Sequence, residues 1–297
     1  MEHRLLRRMR MRFLAAALTR RLWLPICCII VFVAGNERWE SADSNGTFVA
    51  SNGRCKRRDG VACQALSEAA RSKIDPTPDE LFYMMPRVGI YHVDDSFRAQ
   101  LTQLYRLLLP SGGDILDLCS QHDSHLPSEV EYGSLTVHGM NYVELLANQR
   151  ATERFTQNFN SDQSLSGIAD ASLDAALMTV SIQYMQRPVE LLTEVRKKLR
   201  PGGVMIVSFS NRMFFTKATE IWRSQRSMRG LADLVLGFVE EAGFQGVRAA
   251  TRVNAEGANM NGDPFVAVVG FKDESPSDLD SLEGVTWLVD GGRASIW

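Results

Sequence analysis

The stretch "LDAALMTVSIQYMQRPVELLTEVRKKLRPGGVMIVSFS" (residues 173–210) decides the fold. "LDAALMTVS" is a long apolar segment, bounded like a strand buried on both faces of a parallel sheet. "PVELLTEVRKKLR" is amphipathic, with Pro188 in its first turn and basic residues in its last, which favours a helix. "PGGVMIVSFS" then predicts a turn into a second buried strand.

Working outward, the same alternation continues. Upstream, "DDSFRAQLTQLYRLLLP" places Phe97, Leu101, Leu104, Leu107 and Leu108 at helical spacing, and Pro110 with Gly112 and Gly113 ends it. "DILDLC" is a short apolar strand, "LTVHGM" around Val137 a second, "ELLANQ" a helix and "RFTQNF" a short third strand. Downstream, "LADLVLGFVEEAGF" is a helix ended by Gly243, and "GVRAATRV" and "PFVAVVGFK" are two strands. The polar connection between those two is short and holds no helix, so they should pair antiparallel. The fold class is therefore α/β: a mostly parallel sheet with helices on both faces, closed by an antiparallel strand pair. Such sheets bind ligands at the carboxyl ends of their central strands.

This body spans 78–272. Its flanks differ in character. Residues 1–35 carry seven Arg and one Glu within the first 21 positions, then an apolar run from Leu22 to Ala34. That run is shorter than the roughly 20 residues a spanning helix needs. It fits a signal sequence with small residues at Ala34 and Gly35, or a short anchor. Residues 36–77 are polar and weakly periodic, a linker or the transit part of a two-part plastid leader. The expected destination is a plastid, or a secretory or membrane-associated site. Asn45-Gly46-Thr47 matches a glycosylation sequon. Residues 273–297 form an acidic, then apolar, tail.

Of 297 residues, 45% are apolar, as suits one globular domain with extensions. The net charge is -2; the first 21 residues hold +6, which leaves about -8 for the remainder. An acidic body does not suit a nucleic-acid partner, since phosphate binding needs clustered Lys and Arg. Membrane contact is expected only through the N-terminal apolar segment. The cysteines are Cys27, Cys28, Cys55, Cys63 and Cys119, with no CxxC to suggest zinc. Cys55 and Cys63 are the one pair a disulfide would join, and nothing demands it.

"DLCSQHDSH" (117–125) follows the first strand of the body. Nucleotide-binding loops at this place are usually glycine-rich, because the backbone must pass close to the ligand. This one has no glycine. His122, Asp123 and His125 are a polar loop cluster whose spacing does not suit one helix face, so no metal is expected. His122 has the chemistry of a general base, since an imidazole titrates near neutral pH.

The stretch 173–214, with "LRPGG" between helix and strand, resembles the second half of class I S-adenosylmethionine-dependent methyltransferases, in the branch called methyltransferase type 11. The resemblance runs from about Leu81 to Lys272. "FYMMPR", "YHVDD", "DLCSQHDSH" and "SFSNRMF" are similar to a plant and algal subgroup with a glycine-free first loop. It implies a Rossmann-like methyltransferase sheet, S-adenosyl-L-methionine as cofactor and a small-molecule methyl acceptor.

Residue by residue, it implies that Asp117 contacts the amino-acid end of the cofactor. Cys119, Gln121 and Asp123 stand near the usual glycines, with Cys119 and Ser120 small enough for close approach. Asn141 stands where an acid grips the ribose, or simply caps the helix after it. Asn158 stands at the adenine-binding acid, with Phe159 packing on the ring or in the core. Val180 and Ser181 line the pocket, and Gln183 and Tyr184 face the acceptor. Two amides in place of acids, at roughly 1 kcal/mol each, lower affinity about tenfold to a hundredfold. The alternative is a catalytically inactive binding protein of the same fold. A nicotinamide-dependent oxidoreductase ranks last, for want of G-x-G-x-x-G. No catalytic residue is assigned.

Overall fold

The computed structural model describes residues 39–42, 48–50, 66–259 and 261–288. The apolar N-terminal segment, the sequon, four of the five cysteines and the last nine residues lie outside the described residues. A separate two-stranded antiparallel ladder joins β1 (Trp39–Ala42) to β2 (Phe48–Ala50).

In the main body the chain order begins with three helices, α1 (Glu68–Arg71), α2 (Asp79–Phe82) and α3 (Asp95–Leu108). There follow β3 (Asp114–Leu118), β4 (Ser134–Gly139), α4 (Tyr142–Leu146), β5 (Glu153–Thr156), β6 (Leu173–Thr179) and α5 (Pro188–Lys198). The second half is β7 (Leu199–Phe209), α6 (Glu220–Arg223), α7 (Met228–Glu241), β8 (Gln245–Val253), β9 (Val266–Phe271) and β10 (Val285–Trp287). These strands form one eight-stranded sheet in the order β10-β8-β9-β7-β6-β3-β4-β5.

Strands β5, β4, β3, β6 and β7 run parallel. β9 enters antiparallel between β7 and β8, and β10 pairs antiparallel outside β8. The mostly parallel sheet with closing antiparallel strands is thus present. β10, formed from three residues of the acidic-apolar tail, adds an edge strand to it.

Two cores flank the sheet, and side-chain alternation assigns residues to them. Leu116, Leu118, Met178, Met205 and Val207 face one, with α5 and α7 packed on it. Ile115, Leu177, Val204 and Ile206 face the other, with α3 packed on it. α3 starts where the side chain of Asp94 accepts from the Phe97 N–H at 2.9 Å, which satisfies an otherwise open helix donor.

The "RPGG" segment departs from its expected form. Rather than a turn before β7, it is a bulge within it: the register jumps from Leu173↔Leu199 to Ala175↔Val204. Gly202 there has φ 76°. A Cβ on Gly203 would stand 2.9 Å from the Arg200 carbonyl oxygen, so glycine is required. Arg200 reaches Asp114 and Asp174, tying β7 to the first residues of β3 and β6.

Candidate functional site

The chain leaves β3 toward β4 on one side and leaves β6 toward β7 on the other, so the sheet's winding reverses between β3 and β6. A crevice opens at such a point, above the carboxyl ends of the strands. Here it is a cleft of about 560 Å³.

Asp117 lines this cleft at 3% exposure. Burial pushes its carboxyl up to about 6, while the Ser120 and Ser124 hydroxyls beside it act in the opposite sense. Among the described residues Asp117 is in no ion pair, with only the His125 imidazole acting on it as a positive charge, and a buried carboxylate left so is costly, so the site favours a positively charged ligand.

The glycine-free loop solves its steric problem by adopting the glycine conformation without glycine. Cys119 has φ 57° and His125 φ 56°. Across the crevice, at the end of β6, Val180 has φ 42°, a strained value for a β-branched residue. Such backbones cost about 1–3 kcal/mol each and persist where their surroundings enforce them. The enforcing group at Cys119 is His138, the penultimate residue of β4. Its Nδ1 accepts from the Cys119 N–H at 3.1 Å, and its carbonyl accepts from the Ser120 N–H at 2.6 Å. Its Nε2 donates to the Gln157 carbonyl at 2.9 Å, which fixes the neutral tautomer. Burial pulls this imidazole down to about 4, so it stays uncharged at neutral pH. The Cys119 thiol is pushed up to about 12 by burial and then by Asp117, so it is no nucleophile.

Gly139, the last residue of β4, lets the loop after β3 pack closely on the strand end. A Cβ there would meet the Ser120 carbonyl oxygen at 2.9 Å and a Leu145 methyl at 3.0 Å. The sequence contained it, in "LTVHGM", but only the packing shows its use.

Seven of the eight proposed cofactor positions line the cleft: Asp117, Cys119, Ser120, Asn158, Phe159, Val180 and Ser181. Asn141 is not among its lining residues. Its Oδ1 accepts from the Val143 and Glu144 N–H groups, and its Nδ2 donates to the Tyr83 and Met84 carbonyls. Its hydrogen-bonding capacity is spent as a helix cap and an anchor. Asn158 is also engaged: it donates to Glu80 at 2.7 Å and accepts from the Asn160 N–H at 2.9 Å. Phe159 is 3% exposed and belongs to the core as well as the cleft.

An acid that the sequence did not single out stands nearby. Glu144 lines the cleft at 5% exposure and accepts from the Arg87 N–H at 2.5 Å. Burial raises its carboxyl above the ordinary value.

Residues 72–92 run across the mouth as a strap. Asp79 accepts from Asn160, the Arg87 N–H reaches Glu144, the Tyr91 hydroxyl donates to Asp123 at 3.2 Å, and His92 Nε2 accepts from Gln121 at 3.0 Å. The far wall is aromatic: Tyr184 stacks on Phe214 at 5.9 Å, and His92 meets Phe214 edge-on at 5.3 Å. Burial lowers the imidazoles of His92 and His122. Both ring nitrogens of His122 are buried without a hydrogen-bond partner among the described residues, and the residue lines the cleft beside Tyr91. Among the described residues no group of His, Cys, Asp or Glu has the arrangement to hold a metal ion.

Residues 124–207 match the model of a methyltransferase-domain family. The match begins past the strand and most of the loop that carry Asp117 and Cys119, and it is to the family rather than to a subgroup of it. No curated protein matches the chain. Among solved structures, a methyltransferase dependent on S-adenosylmethionine from Thermotoga maritima is 18% identical, with 59% of this chain and 89% of that one covered, at a TM-score of 0.44. Phosphoethanolamine N-methyltransferase 2 of Haemonchus contortus, solved with S-adenosyl-L-methionine, is 11% identical over 59% of this chain and 52% of that one, at 0.42. A methyltransferase from Archaeoglobus fulgidus is 10% identical over 59% and 92%, at 0.43. The strand order carries the fold: counted from β3, it is 3-2-1-4-5-7-6 with an added edge strand, a Rossmann-like methyltransferase sheet.

Proposed function

We propose that the cleft binds S-adenosyl-L-methionine and that the protein transfers its methyl group to a small acceptor. The observation that carries this reading is Asp117: a carboxylate buried at the floor of the crevice, at the sheet's point of reversal, in need of a cation. The cofactor's amino-acid end has an ammonium, and its sulfonium supplies an already activated methyl group. Gly139, packed against the Ser120 carbonyl and Leu145, holds the loop after β3 close to the end of β4 at the edge of this cleft.

In this reading Asp117 holds the ammonium. Glu144, one of its oxygens fixed by the Arg87 amide, offers the ribose hydroxyls the charge that Asn141 lacks. Phe159 and Asn158 border the adenine, and Val180 and Ser181 form the wall opposite Cys119 and Ser120. The acceptor enters from the aromatic wall of Tyr184 and Phe214. The strap keeps water from it, so positioning and desolvation supply the rate. His122, its imidazole lowered by burial and its nitrogens without a hydrogen-bond partner among the described residues, is available to take an acceptor's proton.

Calorimetric titration of the purified chain with S-adenosylmethionine and with S-adenosylhomocysteine tests the reading. Micromolar binding of both supports it. A folded protein that gives no heat with either contradicts it and leaves the inactive-fold alternative.

A further inference from the structure

The strap over the cleft is built inside out. A segment facing water turns its charges outward and its apolar groups inward. Here the Lys73 ammonium is under the strap, 2.7 Å from Asp79, with side chains 8% and 12% exposed. Lys217, fully buried, reaches the Thr77 carbonyl and Asp75 from below. Arg87 lies over the rings of Phe82, Tyr83 and Phe214. On the outside stand Met84 and Met85, 63% and 68% exposed, with Val88 and Ile90.

The neighbouring helix α4 repeats the arrangement. Glu144 and Leu145 are buried while Tyr142, Val143 and Leu146 are more than half exposed. Asn141 and Glu144 stitch this helix to the strap. Every large apolar side chain that stands exposed among the described residues belongs to residues 74–91, to α4 or to Phe215. Phe215 neighbours Phe214, which packs on Phe82 of the strap at 5.3 Å. Among the described residues the exposed large apolar side chains of the body are therefore collected around the mouth of one cleft. Patches of this kind mark contact surfaces.

We propose that this rim docks on a lipid bilayer, so that the cleft opens at the membrane surface. The chain that leads into the strap identifies the occupant. Its first 21 residues carry seven Arg, and an apolar run from Leu22 to Ala34 follows. Basic residues beside an apolar run attach chains to anionic membranes. A single weak attachment is reversible, and a second one on the same chain makes it lasting. With residues 1–35 retained as the short anchor, the leader brings the domain to the bilayer, and the rim sets its orientation there. Met and Val enter the acyl boundary, while Tyr142 and Tyr91 suit the headgroup level.

Hydrogen exchange on the full chain, with and without vesicles of phosphatidylcholine and phosphatidylglycerol, tests the proposal. Amides in 81–90 and 142–146 should exchange at least severalfold more slowly with vesicles. The double variant Met85→Glu, Val143→Glu should lose that protection and keep its affinity for S-adenosylhomocysteine, since neither residue lines the cleft. Protection confined to residues 1–65, or none at all, overturns the proposal. So does rim protection that appears without vesicles as protein concentration rises, which assigns the face to a second copy. Cofactor titration is read separately, so failure of the docking and failure of the methyltransferase reading are told apart.

Discussion

Asp117 concentrates the chemistry of the site in one side chain. Its carboxyl is raised to about 6 by burial, above its ordinary value of 3.8. A carboxyl raised on folding favours the folded state most below the ordinary value, and that contribution is lost as pH rises through about 6. At pH 7.5 the ligand-free protein therefore holds a destabilising charge. Asp117→Asn should raise its stability by about 1–3 kcal/mol in chemical denaturation while weakening S-adenosylmethionine at least tenfold. A variant that loses both stability and binding would make Asp117 a structural residue. The sequence showed this Asp at a strand end. It did not show His138, whose ring replaces the glycine solution at Cys119, because the two lie 19 positions apart and meet only through the pairing of β3 with β4.

The regular elements were legible because periodicity encodes them. Apolar runs gave the buried strands β6 and β7, and 3.6-residue spacing gave α3, α5 and α7. β10 was not legible, since three residues at an edge carry too short a pattern. The bulge at "RPGG" escaped for a different reason: Pro and Gly signal a break in direction, and only the paired register shows that the strand continues through it. Arg200 in that bulge bridges Asp114 and Asp174 at the end of the sheet opposite the cleft. Its side chain is 39% exposed, so solvent screening keeps the bridge modest. Arg200→Leu should cost about 1 kcal/mol of stability and leave cofactor affinity unchanged, as urea unfolding and titration would show. A change in affinity would mean that the two ends of the sheet are coupled.

On the scale of the whole molecule, the cleft is a joint product of two parts with different stability. The floor belongs to the sheet, where both cores are fully buried. The cover is the strap, which is tied down at Asp75 and Asp79 by the buried Lys217 and beyond them touches the rest through hydrogen bonds and a few rings, with a mostly exposed outer face. Its part beyond the Lys217 anchor opens before the sheet does. A ligand that binds only beneath the closed strap should hold it shut. Trypsin cleavage after Arg87 should therefore slow severalfold at saturating S-adenosylhomocysteine, while unchanged cleavage would place the ligand elsewhere. Strap contacts were illegible in the sequence for a plain physical reason: they join distant residues, 29 positions apart for His92 with Gln121 and 140 for Lys217 with Thr77, and no local pattern records them.

The central claim is that the ionised Asp117 holds the cationic end of the cofactor. The most direct measurement is the affinity for S-adenosylhomocysteine from pH 5 to 8, for the wild-type chain and for Asp117→Asn. Wild-type binding should weaken by up to about tenfold per pH unit below the Asp117 value of about 6, and the variant should bind more weakly without that dependence. Wild-type affinity flat across the range, or a variant that binds as tightly as the wild type, would contradict that claim.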